Sequence, residues 1–263
     1  MALDIMQRMR GLAASQGGYF YPWKSSLAPG NGEDAYAALV EACLQPDATV
    51  LEAGCGHGPD IPRFAPKVAR YVAYDAVAEF IDIARRAAAE RGLTNVELVV
   101  ANSAPQHNGG RARLPADDGS VDLIVSRRGP TNFILDARRA VRPGGALIQL
   151  NPVDLTAPWF EALPTALPLP GAYRAAGGFE TIAGRIAARL AEGGLALHSA
   201  WTFDVPEILA EPEDLYACLT WMTDDPPPLT AVRADLERLF REFAGPKGLE
   251  LRHRRYLWKA VVG

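Results

Sequence analysis

Three glycines occupy alternate positions in VLEAGCGHGPD, residues 50–60, directly after a short apolar run. Gly54, Gly56 and Gly58 carry no side chain, so a ligand can lie directly against their backbone. In open α/β sheets, ligands bind where a strand ends and the next helix begins. The pattern therefore predicts a ligand-binding turn, with the carboxylate of Glu52 two residues before its first glycine.

The spacing of the glycines distinguishes between two nucleoside ligands. A dinucleotide-binding turn needs G-x-G-x-x-G, but a count from Gly54 puts Pro59 at the third glycine. Asp75 ends the next apolar run, 21 residues after Gly54, where a carboxylate can bind ribose hydroxyls. Ribose occurs in dinucleotides and in S-adenosylmethionine alike, so Asp75 predicts a nucleoside without choosing between them. The E-x-G-x-G-x-G spacing favours S-adenosylmethionine.

Apolar runs of strand length alternate with helical patterns up to residue 151. Strands are predicted at 48–53, 70–75, 95–101, 121–126 and 146–150, and helices at 33–44, 77–92 and 132–141. Strands that alternate with helices at short spacing imply a parallel sheet covered on both faces. Because crossovers between parallel strands are right-handed, a doubly wound α/β sheet is the expected topology.

The last third of the chain departs from this alternation. A helix is predicted over 179–194, and alternating apolar residues predict strands at 195–204 and 249–262. A helical, proline-broken segment of about 205–247 lies between those strands. Without a low-complexity linker or an internal repeat, we expect one domain over 1–263, with three parts: N-terminal arm and helix 1–47, core 48–151 and C-terminal part 152–263.

The bulk composition narrows the class of protein. A net charge of −4 and a pI near 5.6 give no broad attraction to nucleic acid or to an anionic membrane. Cys43, Cys55 and Cys218 are scattered, which predicts neither a disulfide framework nor a metal site. No signal peptide and no membrane-spanning run of about 18 apolar residues is evident. We therefore expect a soluble cytoplasmic protein.

Four segments in order and register carry a resemblance to a known family. They are VLEAGCGHG, YVAYDAVAEFIDIARRAA, LPADDGSVDLIVS and ARRAVRPGGALIQLN, which together span roughly 48–151. The chain resembles class I S-adenosylmethionine-dependent methyltransferases, of the type 11 kind. The resemblance implies a Rossmann-like fold with a mostly parallel seven-stranded sheet that ends in an antiparallel hairpin. The chain departs from the family at about 205–247, where relatives have a short connection, and by analogy this helical segment is the candidate cover over the substrate.

The resemblance assigns the glycine turn to the cofactor. Gly54, Cys55 and Gly56 would let the methionine part of S-adenosylmethionine approach the backbone. Glu52 would orient the turn, and Asp75 would accept hydrogen bonds from both ribose hydroxyls. Each of these roles is an expectation from the resemblance.

Further cofactor contacts are implied after three of the strands. Ala76 would lie against the adenine, and Asn102 and Ser103 would border its edge. Many relatives carry Asp at the position of Asn102, but an Asn can still bind the adenine amino group through its carbonyl. Ser126, at the end of the fourth predicted strand, would face the methyl group.

Several residues are candidates for the substrate side, each with a structural alternative. Arg127 and Arg128 could clamp an anionic substrate, or form a solvated pair at a helix start. Tyr21 and Trp23, in the segment GGYFYPWKSS, could close over the cofactor or pack the arm on the sheet. His57 could act as a base or serve a structural role.

The function implied is methyl transfer to a small-molecule acceptor by in-line displacement, which leaves S-adenosylhomocysteine. Positioning and exclusion of water can lower such a barrier by ~7–11 kcal/mol, so a base is needed only when the acceptor must lose a proton early. The sequence identifies no such base. An acidic chain and an apolar cover favour a small acceptor; the cover residues are Leu215, Tyr216, Leu219, Trp221 and Met222.

Two other functions stay open at this point. The basic strand LRHRRYLWK, residues 251–259, with the two arginines at 127 and 128, could contact a ribosomal RNA base as the acceptor. The same strand could instead be the exposed face of an edge hairpin. A regulator that binds the cofactor without catalysis is the second alternative.

Overall fold

A computed structural model describes residues 5–163, 166–167, 178–221 and 223–263. The strands of this part are β1 Ser26–Leu27, β2 Thr49–Ala53, β3 Arg70–Asp75, β4 Val96–Val100, β5 Val121–Arg127, β6 Val141–Pro152, β7 Ala196–Leu209 and β8 Leu249–Val261. Its α-helices are α1 Ile5–Gln16, α2 Glu33–Glu41, α3 Ile61–Phe64, α4 Ala78–Glu90, α5 Ile134–Ala140, α6 Phe179–Glu192, α7 Pro212–Thr220 and α8 Leu229–Phe243.

The strands form one sheet in the order β1-β7-β8-β6-β5-β2-β3-β4. Strands β2 to β6 pair in parallel, and β8 runs antiparallel to both β6 and β7. This arrangement confirms the predicted α/β fold with a mostly parallel sheet and an antiparallel C-terminal hairpin. The strand count differs from the seven expected, because Ser26 and Leu27 add a short eighth strand against β7. A two-residue strand has no local pattern, since it exists only through pairing with a distant partner.

The order of the strands in the sheet reverses between β2 and β5. These strands are neighbours, but β2 is followed by β3 on one side and β5 by β6 on the other. The loops that leave the two strands lead to helices on opposite faces of the sheet, α3 after β2 and α5 after β5. Such a switch point is the usual ligand site of an open α/β sheet. The glycine turn follows β2, and Arg127 ends β5.

Two apolar layers cover the faces of the sheet, as a doubly wound fold requires. On one face α2, α3 and α4 bury residues such as Tyr36, Phe64 and Ile81 against the sheet. On the other face α5 and α6 pack around Phe133 and Trp258, whose rings stack 6.4 Å apart. The sheet is therefore a rigid platform from which the strand ends project.

The C-terminal hairpin is longer than the sequence indicates. Strand β7 continues to Leu209, which pairs with Leu249 at the start of β8. The connection is therefore 210–248 rather than about 205–247. Its helices α7 and α8 form a third apolar cluster with the top of the hairpin, which includes Leu215, Leu236 and Leu251. Met222, one of the predicted cover residues, lies outside the described residues.

Candidate active site

The glycine turn is tied to the neighbouring strand by its backbone. The N–H groups of Gly54 and Cys55 both donate to the carbonyl of Tyr74, at 2.9 and 3.0 Å. Gly54 has a φ of +69°, and a Cβ there would lie 2.9 Å from the Cδ of Pro130. Gly54 is therefore required by the conformation of the turn and by its contact with the loop after β5.

Gly56 is the glycine that exposes bare backbone. Its φ is +55°, and a Cβ added there would meet no atom within 4 Å. Gly58 differs, because a Cβ there would lie 2.7 Å from Ile61. The second glycine of the motif thus leaves open space beside the main chain, whereas the third allows close packing on α3. A ligand atom can approach the turn at Gly56.

Asp75 holds this turn from the end of β3. Its Oδ2 accepts the N–H of Gly56 at 2.9 Å, and its Oδ1 accepts the N–H of Val77 at 2.9 Å. Burial raises the pKa of Asp75, although these backbone donors oppose the shift. A carboxylate oxygen can accept more than one hydrogen bond, so each oxygen keeps capacity for a ligand hydroxyl. The open space at Gly56 and this carboxylate fit a nucleoside with a ribose diol.

A charged cluster lies beside the turn, at the end of β5. The guanidinium of Arg127 donates to Asp60 at 2.9 Å and to Glu33 at 3.2 Å. Arg255 of β8 contacts the same Glu33 at 3.7 Å. Burial raises the pKa of Asp60, with Arg127 opposing the shift; for Glu33, the charges of Arg128 and Arg127 outweigh burial and lower the pKa. The donors of Arg127 are thus largely committed to this chain's own carboxylates.

Four aromatic side chains form a cluster that we call the aromatic cover: Tyr19, Tyr21, Trp23 and Trp221. Tyr21 stacks on Trp23 at 4.5 Å, and Trp221 meets both edge-on at 5.9 and 6.0 Å. Arg128 lies over the Tyr21 ring, 5.7 Å from its centroid. The cover joins the N-terminal arm to the connection between β7 and β8, and brings Tyr21, Trp23 and Arg128 together.

The carboxylate of Glu207, on the hairpin, anchors the N-terminal arm. Glu207 of β7 accepts a hydrogen bond from the hydroxyl of Ser25 at 2.7 Å, and lies 3.0 Å from Nδ1 of His253. The indole N–H of Trp23 points at the same carboxylate, at 3.5 Å. Burial favours a higher pKa for Glu207, but hydrogen bonds from His253, Ser25 and Trp23 outweigh it and lower the pKa. Glu207 is therefore held as a carboxylate.

Comparison with known proteins agrees with this geometry. Residues 50–145 match the family model described as a methyltransferase domain. The uncharacterized methyltransferase YcgJ of Bacillus subtilis (strain 168) is 32% identical over 111 residues, which are 42% of this chain and 40% of that protein. Over residues 50–145 this chain is therefore similar to methyltransferase domains. The match reaches from β2 to the start of β6 and contains the glycine turn and Asp75.

The similarity of the fold extends beyond the methyltransferase domain. A functionally unknown protein from Deinococcus radiodurans R1 superposes with a TM-score of 0.67 at 26% identity, over 98% of both chains. Geranyl diphosphate C-methyltransferase from Streptomyces coelicolor A3(2) superposes with a TM-score of 0.52 at 17% identity, over 88% of this chain and 79% of that one. At that identity the likeness shows the fold alone. This chain matches about two fifths of the length of its curated relatives, 37% and 40%.

Two residues that were predicted to contact the cofactor, Glu52 and Cys55, are buried inside the matched methyltransferase domain. Glu52 is only 2% exposed and accepts the hydroxyl of Tyr71 at 2.9 Å; burial, with the nearby charge of Asp60, raises its pKa well above the usual range. Cys55 is buried, and burial raises the pKa of its thiol, so the side chain is a neutral packing group. The contributions of these residues to a cofactor site stay predictions.

Ser126 supports the turn in the same way. Its side chain is fully buried, and its hydroxyl donates to the carbonyl of Ala53 at 2.8 Å while the amide of Gln149 lies 3.3 Å away. The hydroxyl therefore joins β5 to the end of β2. A contact of Ser126 with the methyl group of the cofactor stays a prediction.

The predicted adenine residues lie together on the loops after β3 and β4. Asn102 accepts the N–H of Ala104 through its side-chain oxygen at 3.0 Å, so that oxygen has one hydrogen bond already. Ser103 is buried, whereas Asn102 and Ala76 are partly exposed. An adenine contact by these three residues stays a prediction, with Asn102 and Ala76 the accessible members.

His57 connects the glycine turn to the N-terminal arm. The N–H of Tyr19 donates to its Nδ1 at 3.1 Å, and the ring of Phe20 packs 4.8 Å from the imidazole. Burial lowers the pKa of His57, and the charges of Arg127 and Arg128 lower it further. The arm is therefore attached to the turn through a neutral histidine.

Acidification is expected to weaken that attachment. Because the folded-state pKa of His57 is depressed, its contribution to stability is complete above the unfolded-state pKa of about 6.5 and is lost as the pH falls through the folded value. Protonation places a hydrogen on Nδ1, which then cannot accept the Tyr19 N–H. The free energy of unfolding is measured by chemical denaturation as a function of pH. The His57→Asn variant should be less stable than the wild type at neutral pH, and this difference should disappear at low pH. The exposed His107→Asn variant serves as control, and a deficit for His57→Asn that is constant with pH would contradict the assignment.

Sequence reasoning missed four residues of this region: Glu33, Asp60, Glu207 and His253. The last two stand in VPEIL and LRHRR, where alternation along a strand places a polar residue on a buried face. That pattern is a detectable signal for a buried polar pair. Glu33 and Asp60 carry no comparable signal, since each begins or precedes a helix, where acidic residues are common.

The described helices include none long and apolar enough to cross a bilayer. In the same residues, no group of three or more His, Cys, Asp or Glu side chains is arranged to hold a metal ion.

Proposed function

We propose that this protein transfers the methyl group of S-adenosylmethionine to a small-molecule acceptor. The observation that carries the proposal is the pair of Gly56 and Asp75: open space beside bare backbone, next to a carboxylate with remaining hydrogen-bond capacity. This pair lies at the switch point of the sheet, inside the matched methyltransferase domain. The pair supports a ribose-bearing ligand with an extended tail along the turn.

The chain's residues have separate tasks in this proposal. S-adenosylmethionine supplies an activated methyl group when bound. Asp75 holds the ribose hydroxyls, Gly54 and Gly56 give the backbone access, and Ala76 with Asn102 borders the base. Glu52 and Ser126 stabilise the end of β2, where the glycine turn begins. Since in-line displacement needs mainly orientation and exclusion of water, no covalent intermediate with the protein is required.

A small acceptor is favoured by what surrounds the site. The aromatic cover joins the N-terminal arm to the connection between β7 and β8. Its Tyr21 and Trp23 offer flat apolar surface to an organic molecule. Arg128 is the better candidate for an anionic acceptor, since Arg127 is paired with two carboxylates. The geranyl diphosphate methyltransferase with the same fold also acts on a small molecule.

RNA as the acceptor receives less support. Arg252 donates to Asp204 at 2.7 Å, and Arg254 lies over the ring of Phe179 at 4.4 Å. Arg255 is 5% exposed and contacts Glu33. The basic strand thus directs its cationic groups into contacts with its own chain, whereas RNA binding needs free cations along a surface.

Calorimetry and methyl-transfer assays test the proposal together. Titration with S-adenosylmethionine and with S-adenosylhomocysteine should give one site for each. Labelled S-adenosylmethionine should then pass its methyl group to small organic acceptors and not to ribosomal RNA. Absence of binding would refute the proposed cofactor, and label found only in RNA would refute the proposed acceptor. Binding without transfer to any acceptor would favour a cofactor-binding regulator.

A further inference from the structure

Arg128 follows the last residue of β5 in a backbone conformation that residues with a side chain seldom adopt. Its φ is +63°, and among the described residues other than glycine only Asp225 shares a positive φ. Glycine or asparagine would adopt this conformation more readily than arginine. Strained residues cluster at functional sites, where the surrounding structure maintains the strain. A role for the Arg128 side chain would explain why an arginine occupies this position.

The neighbouring backbone fixes this conformation on both sides. The N–H of Arg128 donates to the carbonyl of Leu150 of β6 at 2.8 Å. The carbonyl of the next residue, Gly129, accepts the side-chain amide of Gln149 at 2.9 Å. A Cβ on Gly129 would lie 2.8 Å from the carbonyl oxygen of Ala53, so this loop packs directly on the end of β2. Arg128 is therefore held at the switch point of the sheet, beside the glycine turn.

The guanidinium of Arg128 keeps most of its donors available. Among the described residues its polar contacts are with Tyr21 alone: Nη1 lies 3.4 Å from the hydroxyl, and Cζ lies 5.7 Å from the ring centroid. A guanidinium has five N–H donors, and a pair of them matches the two oxygens of a carboxylate. Stacking on an aromatic ring uses the face of the guanidinium rather than these donors. The side chain can therefore bind an anion and keep its contact with Tyr21.

The charges around Arg128 leave one positive charge in excess. Arg127 is paired with Asp60 and Glu33, and Arg255 contacts the same Glu33. Burial would raise the pKa of Glu33, but the charges of Arg128 and Arg127 outweigh it, so Glu33 stays ionised. Three guanidinium groups therefore face two carboxylates. A ligand with one negative charge would complete the balance.

The aromatic cover supplies an apolar surface next to this charge, because Tyr21 belongs to the cover and contacts Arg128. Tyr19 of the same cover donates its N–H to His57 of the glycine turn at 3.1 Å, so the cover lies beside the turn. Burial lowers the pKa of His57, and the charges of Arg127 and Arg128 lower it further. The charge of Arg128 therefore acts at the turn as well. The cation, the cover and the turn border one region.

We propose that Arg128 binds a carboxylate of the methyl acceptor, and that the acceptor is an organic acid with a flat apolar body. This inference rests on the proposed methyl transfer and names the class of its acceptor. The carboxylate pairs with Arg128, the body lies against Tyr21 and Trp23, and the group that receives the methyl lies away from the carboxylate. A neutral molecule of the same shape would leave the guanidinium without its counter-charge. Arg128 is thus a specificity-determining residue.

Two matched probes test the inference without a known acceptor. The anion para-hydroxyphenylacetate and the neutral para-hydroxyphenylacetamide share one aromatic body and differ in the carboxylate. Their dissociation constants are measured by nuclear magnetic resonance titration of the full chain saturated with S-adenosylhomocysteine. We expect the acid to bind about tenfold more tightly than the amide, because only the acid forms charged hydrogen bonds to Arg128. Equal binding of the two probes, or no binding of the acid at millimolar concentration, would overturn the inference.

The variant Arg128→Asn separates anion binding from folding, because asparagine tolerates a left-handed backbone. It should keep the affinity for S-adenosylhomocysteine, which shows that it folds, and should bind the acid and the amide equally. Arg128→Lys keeps the charge and should retain part of the preference for the acid. Arg86→Asn removes an exposed arginine of α4 and should leave the preference unchanged. A preference that persists in Arg128→Asn would contradict the role of this side chain.

The outcomes separate this inference from the proposed function. A wild type without affinity for S-adenosylmethionine and S-adenosylhomocysteine refutes the proposed methyl transfer, whichever probe it binds. A wild type that binds both cofactor forms but does not prefer the acid overturns the inference alone. The phosphonate of the same body, para-hydroxybenzylphosphonate, distinguishes the kind of anion. Tighter binding of the phosphonate than of the acid would overturn the carboxylate in favour of a phosphate group.

Discussion

Replacement of Asp75 by alanine is expected to weaken binding of S-adenosylmethionine by about a hundredfold. Two ribose hydroxyls would bond to this carboxylate, and hydrogen bonds to a charged group contribute roughly 1.5–3 kcal/mol each. A loss of about 1.4 kcal/mol corresponds to a tenfold change in affinity, so partial compensation by water still leaves a large effect. The variant also removes the acceptor for the Gly56 N–H, which lies 2.9 Å from Oδ2. Titration calorimetry measures the change directly.

Two further variants identify the cause of that loss. Asp75→Asn keeps the size of the side chain but removes its charge, and should recover part of the affinity lost in Asp75→Ala. Asp82→Ala removes an exposed carboxylate of α4 whose partner is Arg85, and should bind as the wild type does. Because burial raises the pKa of Asp75, affinity should decline on acidification at a higher pH than for an ordinary Asp. Unchanged affinity of Asp75→Ala would remove this residue from the site.

Replacement of Gly56 by alanine is expected to lower the affinity for S-adenosylmethionine at least tenfold while leaving the protein folded. A Cβ at this position meets no atom of the protein within 4 Å, so the variant introduces no clash in the free state. The φ of +55° costs on the order of 1–2 kcal/mol for a residue with a side chain. The added methyl group would occupy the space that the ligand needs beside the backbone.

Gly92 provides a matched control for the strain. It follows α4 with a φ of +66°, and a Cβ there also meets nothing within 4 Å. Gly92→Ala should therefore cost a similar free energy of unfolding, measured by urea denaturation, and leave the affinity unchanged. If both variants lose stability and neither loses affinity, Gly56 does not border the ligand. Gly58→Ala should destabilise the fold more, because its Cβ would lie 2.7 Å from Ile61.

Local patterns in the sequence were sufficient to predict the secondary structure around the site. The predicted strand 70–75 is β3, and the predicted 48–53 and 121–126 agree with β2 and β5 to within one residue. These elements follow from apolar runs bounded by turn residues, which depend on neighbours in the chain only. The glycine turn was predictable for the same reason, since its unusual backbone is encoded by residue type. The longer hairpin was not predicted, because pairing with β8 decides how far β7 continues, which is to Leu209.

The amino-acid sequence by itself determined the alternation of strands and helices, the glycine turn and the carboxylate of Asp75, because each depends on residue types at short spacing. Only the tertiary structure decided which glycine faces open space, and that Arg127 pairs with Asp60 and Glu33. It alone brought Glu207 to His253, 46 residues apart. Such contacts depend on packing between distant segments, and no local periodicity records which of many side chains will meet.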